Sequence, residues 1–228
     1  QPEAGNQSRK RDGVRYFIQQ EDRLLESGTL SNGASASVSV PATLKAGDRL
    51  YVSGIGKVNA AAATQKAICE GADEIWNVGL CGGFGDDIAV GDIYGVESAT
   101  EYDFDLAKIN GVSVGTLDGF DTPYLHCYKP AVLRENPPKW FKGWRILATG
   151  DRFNDSEADH ELITKTLCAS LRDMEGAAVA HVCKLADVKC VSLKCVSDVA
   201  GKGAMTDQYL DNRARCLVKL SMAMKEIL

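Results

Sequence analysis

Residues 173–200 read DMEGAAVAHVCKLADVKCVSLKCVSDVA, and two periodicities meet in this stretch. Met174 to Ala186 is rich in alanine and free of proline, which predicts a helix. Cys190 to Val196 is a short, mostly apolar run, which predicts a buried strand. The same alternation extends outward. Upstream, Asp48 to Ser53, Glu74 to Val78, Asp92 to Val96 and Trp144 to Thr149 predict strands, whereas Val58 to Glu70 and Asp159 to Leu167 predict helices. Val14 to Ile18 is a β-favouring run, followed from Gln20 by residues that suit a helix start. Thr206 to Leu228 predicts a long closing helix. Strands and helices that alternate without a linker-like break predict an α/β fold, a single three-layer αβα sandwich over residues 13–228. Residues 1–12 are polar and predict a flexible tail, and Gly111 to Trp140 predicts an excursion from the sheet.

Composition bounds the function. The 228 residues are 45% apolar and 25% charged, the balance of an ordinary globular protein and not of a disordered chain or a coiled coil. A net charge of -5 argues against a nucleic-acid or anionic-membrane partner. No run approaches the roughly 18 apolar residues of a membrane span, and the opening residues lack the pattern of a signal peptide. The eight cysteines include no CxxC pair, and His126, His160 and His181 do not complete a zinc spacing. They are expected to be mostly buried free thiols in the cytoplasm, with no metal site.

Three features bear on chemistry. Gly54-Ile55-Gly56-Lys57 and Gly79 to Gly85 stand at strand ends, where an α/β sheet binds ligands. Neither matches the spacing of a phosphate loop or a dinucleotide loop, and simple turn chemistry explains them as well. Glu175 opens an apolar helix and needs a strong donor set if it is buried. Two vicinal sugar hydroxyls would serve it, and so would the helix N-terminus. Ser197-Asp198 closes the strand from Cys190, where an acid or base, or a cap for the next segment, would suit.

Taken in order, SGIGKVNAAAAT, NVGLCGGFGDDIAVGDI, TGDRFN, DMEGAAVAHVC and VSDVA resemble the nucleoside phosphorylase/hydrolase superfamily. Within it they are most similar to the 5′-methylthioadenosine/S-adenosylhomocysteine nucleosidases. The resemblance runs from about Leu50 to the C-terminus. It implies a mixed, mostly parallel central sheet and hydrolysis of the N-glycosidic bond of a 5′-modified purine nucleoside, releasing adenine. The substrate would be methylthioadenosine, adenosylhomocysteine or 5′-deoxyadenosine, with no cofactor and with a homodimeric assembly. It further implies that Asp198, oriented by Ser197, protonates N7 of the base. Glu175 would accept from the ribose hydroxyls, with Met174 against the sugar. Phe153 would stack on the base, whose edge backbone groups at Phe153 and Asn154 would read. Ile55 would line the 5′ pocket, and Leu80, Cys81 and Gly82 would lie beneath the sugar.

Two departures from the family pattern stand out. Where phosphorolytic relatives place Arg and Ser to hold phosphate, this chain has Asn77 and Leu80, which favours hydrolysis. The opening strand lacks the usual run of glutamates, leaving Glu21 as the candidate base for water. The alternatives are a purine nucleoside phosphorylase, a futalosine hydrolase, and a non-catalytic nucleoside-binding or storage protein. The apolar stretch from Phe120 to Trp144 is the candidate subunit contact.

Overall fold

The structure, a computed structural model, describes residues 15–19, 28–29, 35–36, 48–153 and 155–228. In chain order the elements are β1 (Arg15–Gln19), β2 (Gly28–Thr29), β3 (Ser35–Ala36), β4 (Arg49–Val52), α1 (Lys57–Cys69), β5 (Glu74–Gly83) and β6 (Ile93–Glu101). Then come α2 (Ala107–Asn110), β7 (Leu125–His126), α3 (Ala131–Arg134), β8 (Phe141–Thr149) and α4 (Glu157–Glu161). After a π-helical turn at Leu162–Thr166 follow β9 (Leu171–Asp173), α5 (Gly176–Leu185), β10 (Lys189–Val199) and α6 (Met205–Ile227). The tail at 1–12 and the helix start at Gln20 lie outside the described residues.

β5 is the spine of the sheet. It pairs in parallel with β1 and β10, and β1 carries β4 on its far side. At its C-terminal end β5 also meets β9 in antiparallel register, Gly82 opposite Arg172 and Gly83 opposite Leu171. β9 runs parallel to β8 and β8 to β6, and β6 returns antiparallel to β10. The mixed sheet therefore closes on itself through β5, β10, β6, β8 and β9.

Alternation along β10 separates the two packed faces. Val191, Leu193 and Cys195 pack with Cys216, Leu217, Leu220 and Met224 of α6. The opposite face packs on α1 and α5, whose Ala60, Ala67, Ala177, Ala178 and Ala180 keep the helices close to the sheet. Six cysteines (81, 127, 183, 190, 195 and 216) are buried free thiols; Cys69 and Cys168 are free and exposed. Among the described residues no helix is long and apolar enough to cross a membrane.

Several elements extend beyond their sequence limits. Gly79 to Gly83 continue β5 rather than forming a loop, because β10 and β9 supply hydrogen-bonding neighbours on both sides. Ser197 and Asp198 likewise lie inside β10 rather than closing it. The helix expected from Met174 begins at Gly176, so Asp173 to Glu175 precede it. The helix expected over Asp159 to Leu167 divides into α4 and the π turn. The 111–140 excursion contributes one two-residue strand, β7, to the sheet edge. Trp140 of this stretch packs with Phe141 and Trp144 of β8 against the α6-side core, Phe120 packs against the α1/α5 side, and Tyr128 and Val132 are exposed.

Leu193 is fully buried between β10 and α6. Leu193→Ala is expected to lower unfolding free energy by about 2–5 kcal/mol, read from urea titrations with an unchanged m-value.

Candidate active site

The β5–β10 pairing contains a register shift: Val196 faces Cys81 and Asp198 faces Gly82, leaving Ser197 as the extra residue of a bulge. A regular strand would send Ser197 and Asp198 to opposite faces. The bulge instead presents both side chains to one cavity, of about 390 Å³. Ser197 Oγ lies 2.8 Å from Asp198 Oδ2 and 3.2 Å from the Cys81 carbonyl oxygen. Gly82 makes room for this, since a Cβ there would stand 2.8 Å from Asp198 Oδ1. Burial pushes the Asp198 carboxyl above the ordinary carboxylate range, against the opposing effects of the Ser197 hydrogen bond and the Arg172 charge.

Ile55, Leu80, Cys81, Gly82, Phe153, Met174, Ser197 and Asp198 all line this cavity. Phe153 is 46% exposed at its mouth and meets Tyr209 edge-on, with ring centroids 5.4 Å apart. Glu175 sits behind the lining, next to Met174, and is only 2% exposed. Glu21 and Asn154 fall outside the described residues.

Beneath the cavity lies a charge cluster that sequence reasoning missed. Lys194 has no exposed surface, and its Nζ is 2.8 Å from Asp173 Oδ2 and donates to Asn77 Oδ1 at 3.2 Å. Asp173 also accepts from Thr149 Oγ1 at 2.6 Å and from the Gly176 N–H at 2.9 Å, so Asp173, not Glu175, caps α5. Thr149 Oγ1 in turn accepts from the Ala177 N–H. The alternation Asn77, Ser192, Lys194 carried a signal: polar residues inside buried strands need one another.

Glu175 Oε1 accepts from the Gly56 N–H at 2.7 Å, while Oε2 is buried with no hydrogen-bond partner. Gly56 has φ +97, a left-handed conformation that suits glycine and turns its N–H toward the carboxylate. Next to it, Lys57 Nζ bridges Glu101 and Asp103 at 3.0 and 2.6 Å, and the Lys57 N–H donates to Asp151, which anchors the loop. Burial, reinforced by the Asp173 charge and opposed by Lys194 and the backbone donors, raises the Glu175 pKa to about 7. Among the described residues no group of His, Cys, Asp and Glu has the arrangement of a metal site.

The chain around this cavity is similar to known proteins in sequence and in fold. Residues 42–228 match the profile of the Phosphorylase superfamily. The chain belongs to this superfamily. A 5′-methylthioadenosine/S-adenosylhomocysteine nucleosidase of Geobacillus sp. (strain WCH70) is 32% identical over 73% of this chain and 75% of its own. An aminodeoxyfutalosine nucleosidase of Campylobacter jejuni is 31% identical over 78% of this chain and 80% of its own. The crystal structure of the Neisseria meningitidis 5′-methylthioadenosine/S-adenosylhomocysteine nucleosidase with methylthio-immucillin-A superimposes with a TM-score of 0.74, covering 94% of this chain and 98% of that one at 23% identity. That likeness extends over nearly the whole of both chains and shows a common fold.

Glu175 ionises at a higher pH in the folded chain than in the unfolded one. Below pH 4.5 the carboxyl is protonated in both folded and unfolded chains, and its stabilising contribution is fully present. Between pH 4.5 and about 7 the unfolded chain ionises first, so this contribution is lost as pH rises. Glu175→Gln is expected to flatten the decline in Tm over that window and to stabilise the ligand-free protein at pH 7.5 by roughly 2–3 kcal/mol. Melting curves from pH 5 to pH 8 test this; parallel profiles for the two proteins would contradict it.

Proposed function

We propose that the chain hydrolyses the N-glycosidic bond of a 5′-modified purine nucleoside, such as methylthioadenosine, adenosylhomocysteine or 5′-deoxyadenosine, and releases adenine. The observation that carries this reading is the pairing of two differently placed carboxyls. Asp198 lines the cavity with a raised pKa, and Glu175 is buried beside it with one oxygen lacking a donor.

Adenine leaves poorly as an anion, so its departure needs a proton at N7. A carboxyl that holds its proton more tightly than usual supplies it, and burial shifts Asp198 in that direction. Ser197 fixes the orientation: its hydroxyl donates to Asp198 Oδ2, which leaves Oδ1 to carry the proton toward the base. Ribose hydroxyls would supply the donors that Glu175 Oε2 lacks, and an unmet buried acceptor costs about 1–3 kcal/mol. Once ionised, Glu175 also favours the positive charge that develops on the sugar as the bond breaks. The 5′ substituent would extend toward Ile55, with Met174 against the sugar and Phe153 over the base, and the cavity has the volume of a small-ligand site. Water completes the reaction, with Glu21 as the proposed base.

Hydrolysis is favoured over phosphorolysis by the same region. Asn77 is buried and engaged by Lys194, and Leu80 is apolar, so neither offers phosphate a cation. The proposed setting is the cytoplasm, whose reducing conditions suit eight free cysteines. The proposed assembly is a homodimer. Exposed Ile55 and Val58, together with exposed Tyr128 and Val132 of the 120–144 stretch, would give a second copy apolar contacts.

Adenine release from methylthioadenosine is expected without phosphate, and Asp198→Asn is expected to lower kcat by about 10²- to 10⁴-fold. A spectrophotometric assay with and without phosphate tests both points. Strict phosphate dependence would select a phosphorylase, and adenine binding without turnover would select a nucleoside-binding protein.

A further inference from the structure

Arg172 is a buried cation that the acid–sugar chemistry leaves unused. It is 7% exposed and lines the main cavity together with Asp198. It also walls a neighbouring hollow of about 260 Å³ beside Phe84 and His160. Among the described residues it forms no ion pair, and its one hydrogen-bond contact is Nη2 to the thioether sulfur of Met205, a weak acceptor. The guanidinium carbon stands 5.4 Å from the centre of the Phe84 ring, which supports the charge without using its N–H groups. A guanidinium has five donors and no acceptor, so most of its hydrogen-bonding capacity is free for a ligand.

The sheet register says where that ligand would lie. Gly82 is opposite Arg172 in β9 and opposite Asp198 in β10. Residues in register share a face, so the two side chains flank a position that has none. Two strand spacings separate them, about 10 Å, enough for a planar base to span. If Asp198 serves N7, the neighbouring group on the same purine edge is the substituent at position 6. Adenine presents an amino donor there, whereas hypoxanthine and guanine present a carbonyl acceptor. Arginine can only donate, and its fork is the commonest partner of the O6/N7 edge of guanine.

We propose that Arg172 widens base recognition to 6-oxopurines by donating to O6 while Asp198 engages N7. This rests on the proposed function, in which Asp198 protonates N7 of the base. The chain would then cleave 5′-modified inosine-type nucleosides as well as the adenosine type.

Two measurements test the proposal separately from hydrolysis itself. Calorimetry compares hypoxanthine with adenine binding to the wild type, Arg172→Met and Arg172→Lys. Initial rates compare 5′-methylthioinosine with 5′-methylthioadenosine. The wild type is expected to bind hypoxanthine within tenfold of adenine, and Arg172→Met to lower the hypoxanthine-to-adenine affinity ratio at least tenfold. The ratio of kcat/KM for the two nucleosides should fall in parallel. Arg172→Lys keeps the charge and loses the fork, so it should show the same direction should the methionine variant not fold. A wild type that binds hypoxanthine more than tenfold more weakly than adenine overturns the proposal. So does an equal loss for both bases, which marks Arg172 as a packing residue. Arg172-dependent hypoxanthine binding with no cleavage of either nucleoside would sustain the base contact and instead defeat the hydrolase reading.

Discussion

An ammonium group with no exposed surface dictates much of the architecture around it. Lys194 lies in the middle of β10, among Val191, Leu193 and Cys195, where a charge without a partner would cost several kcal/mol. Burial works against its charge, and Asp173 and Glu175 more than offset that, holding its pKa above the ordinary value. Asp173 can do this only because β9 runs into the sheet beside β5 and β8 and delivers it to the lysine. Thr149, the Gly176 amide and Asn77 then complete the hydrogen bonding of the pair. The first turn of α5 is thereby pinned to the sheet, and Glu175, one residue before that helix, is held at the back of the cavity.

The consequences reach both carboxyls of the site. Asp173 raises the pKa of Glu175 and Lys194 lowers it, so the carboxyl sits near neutrality and can respond to a bound sugar in either protonation state. Asp198 is governed differently, by burial in a bulge and by Ser197, with no ion pair among the described residues. Two acids a few residues from buried structural charges thus acquire separate roles from their surroundings alone.

Much of this was legible in the sequence. The alternation of apolar strands and small-residue helices gave the layers, and the ordered motifs around Gly54, Gly82, Glu175 and Asp198 gave the superfamily and most of the cavity lining. What was not legible depends on non-local pairing. The closure of the sheet requires β10 to meet β6 and β9 to meet β5, contacts that no local periodicity encodes. The bulge at Ser197 is invisible in an apolar run, and the glycines of residues 79–83 read as loop because their strand character comes from neighbours on both sides. Arg172 and Lys194 looked like ordinary charged residues until the register showed one facing the cavity and the other buried beneath it.

The central claim is that the Lys194–Asp173 pair acts as a unit, and a double-mutant cycle on unfolding free energy addresses it most directly. Lys194→Met and Asp173→Asn should each cost about 3–5 kcal/mol, because each strands the other charge. The double variant should cost less than their sum by 2 kcal/mol or more. Costs that add to within about 0.5 kcal/mol would mean that the two residues act independently, and that the pair does not organise the site.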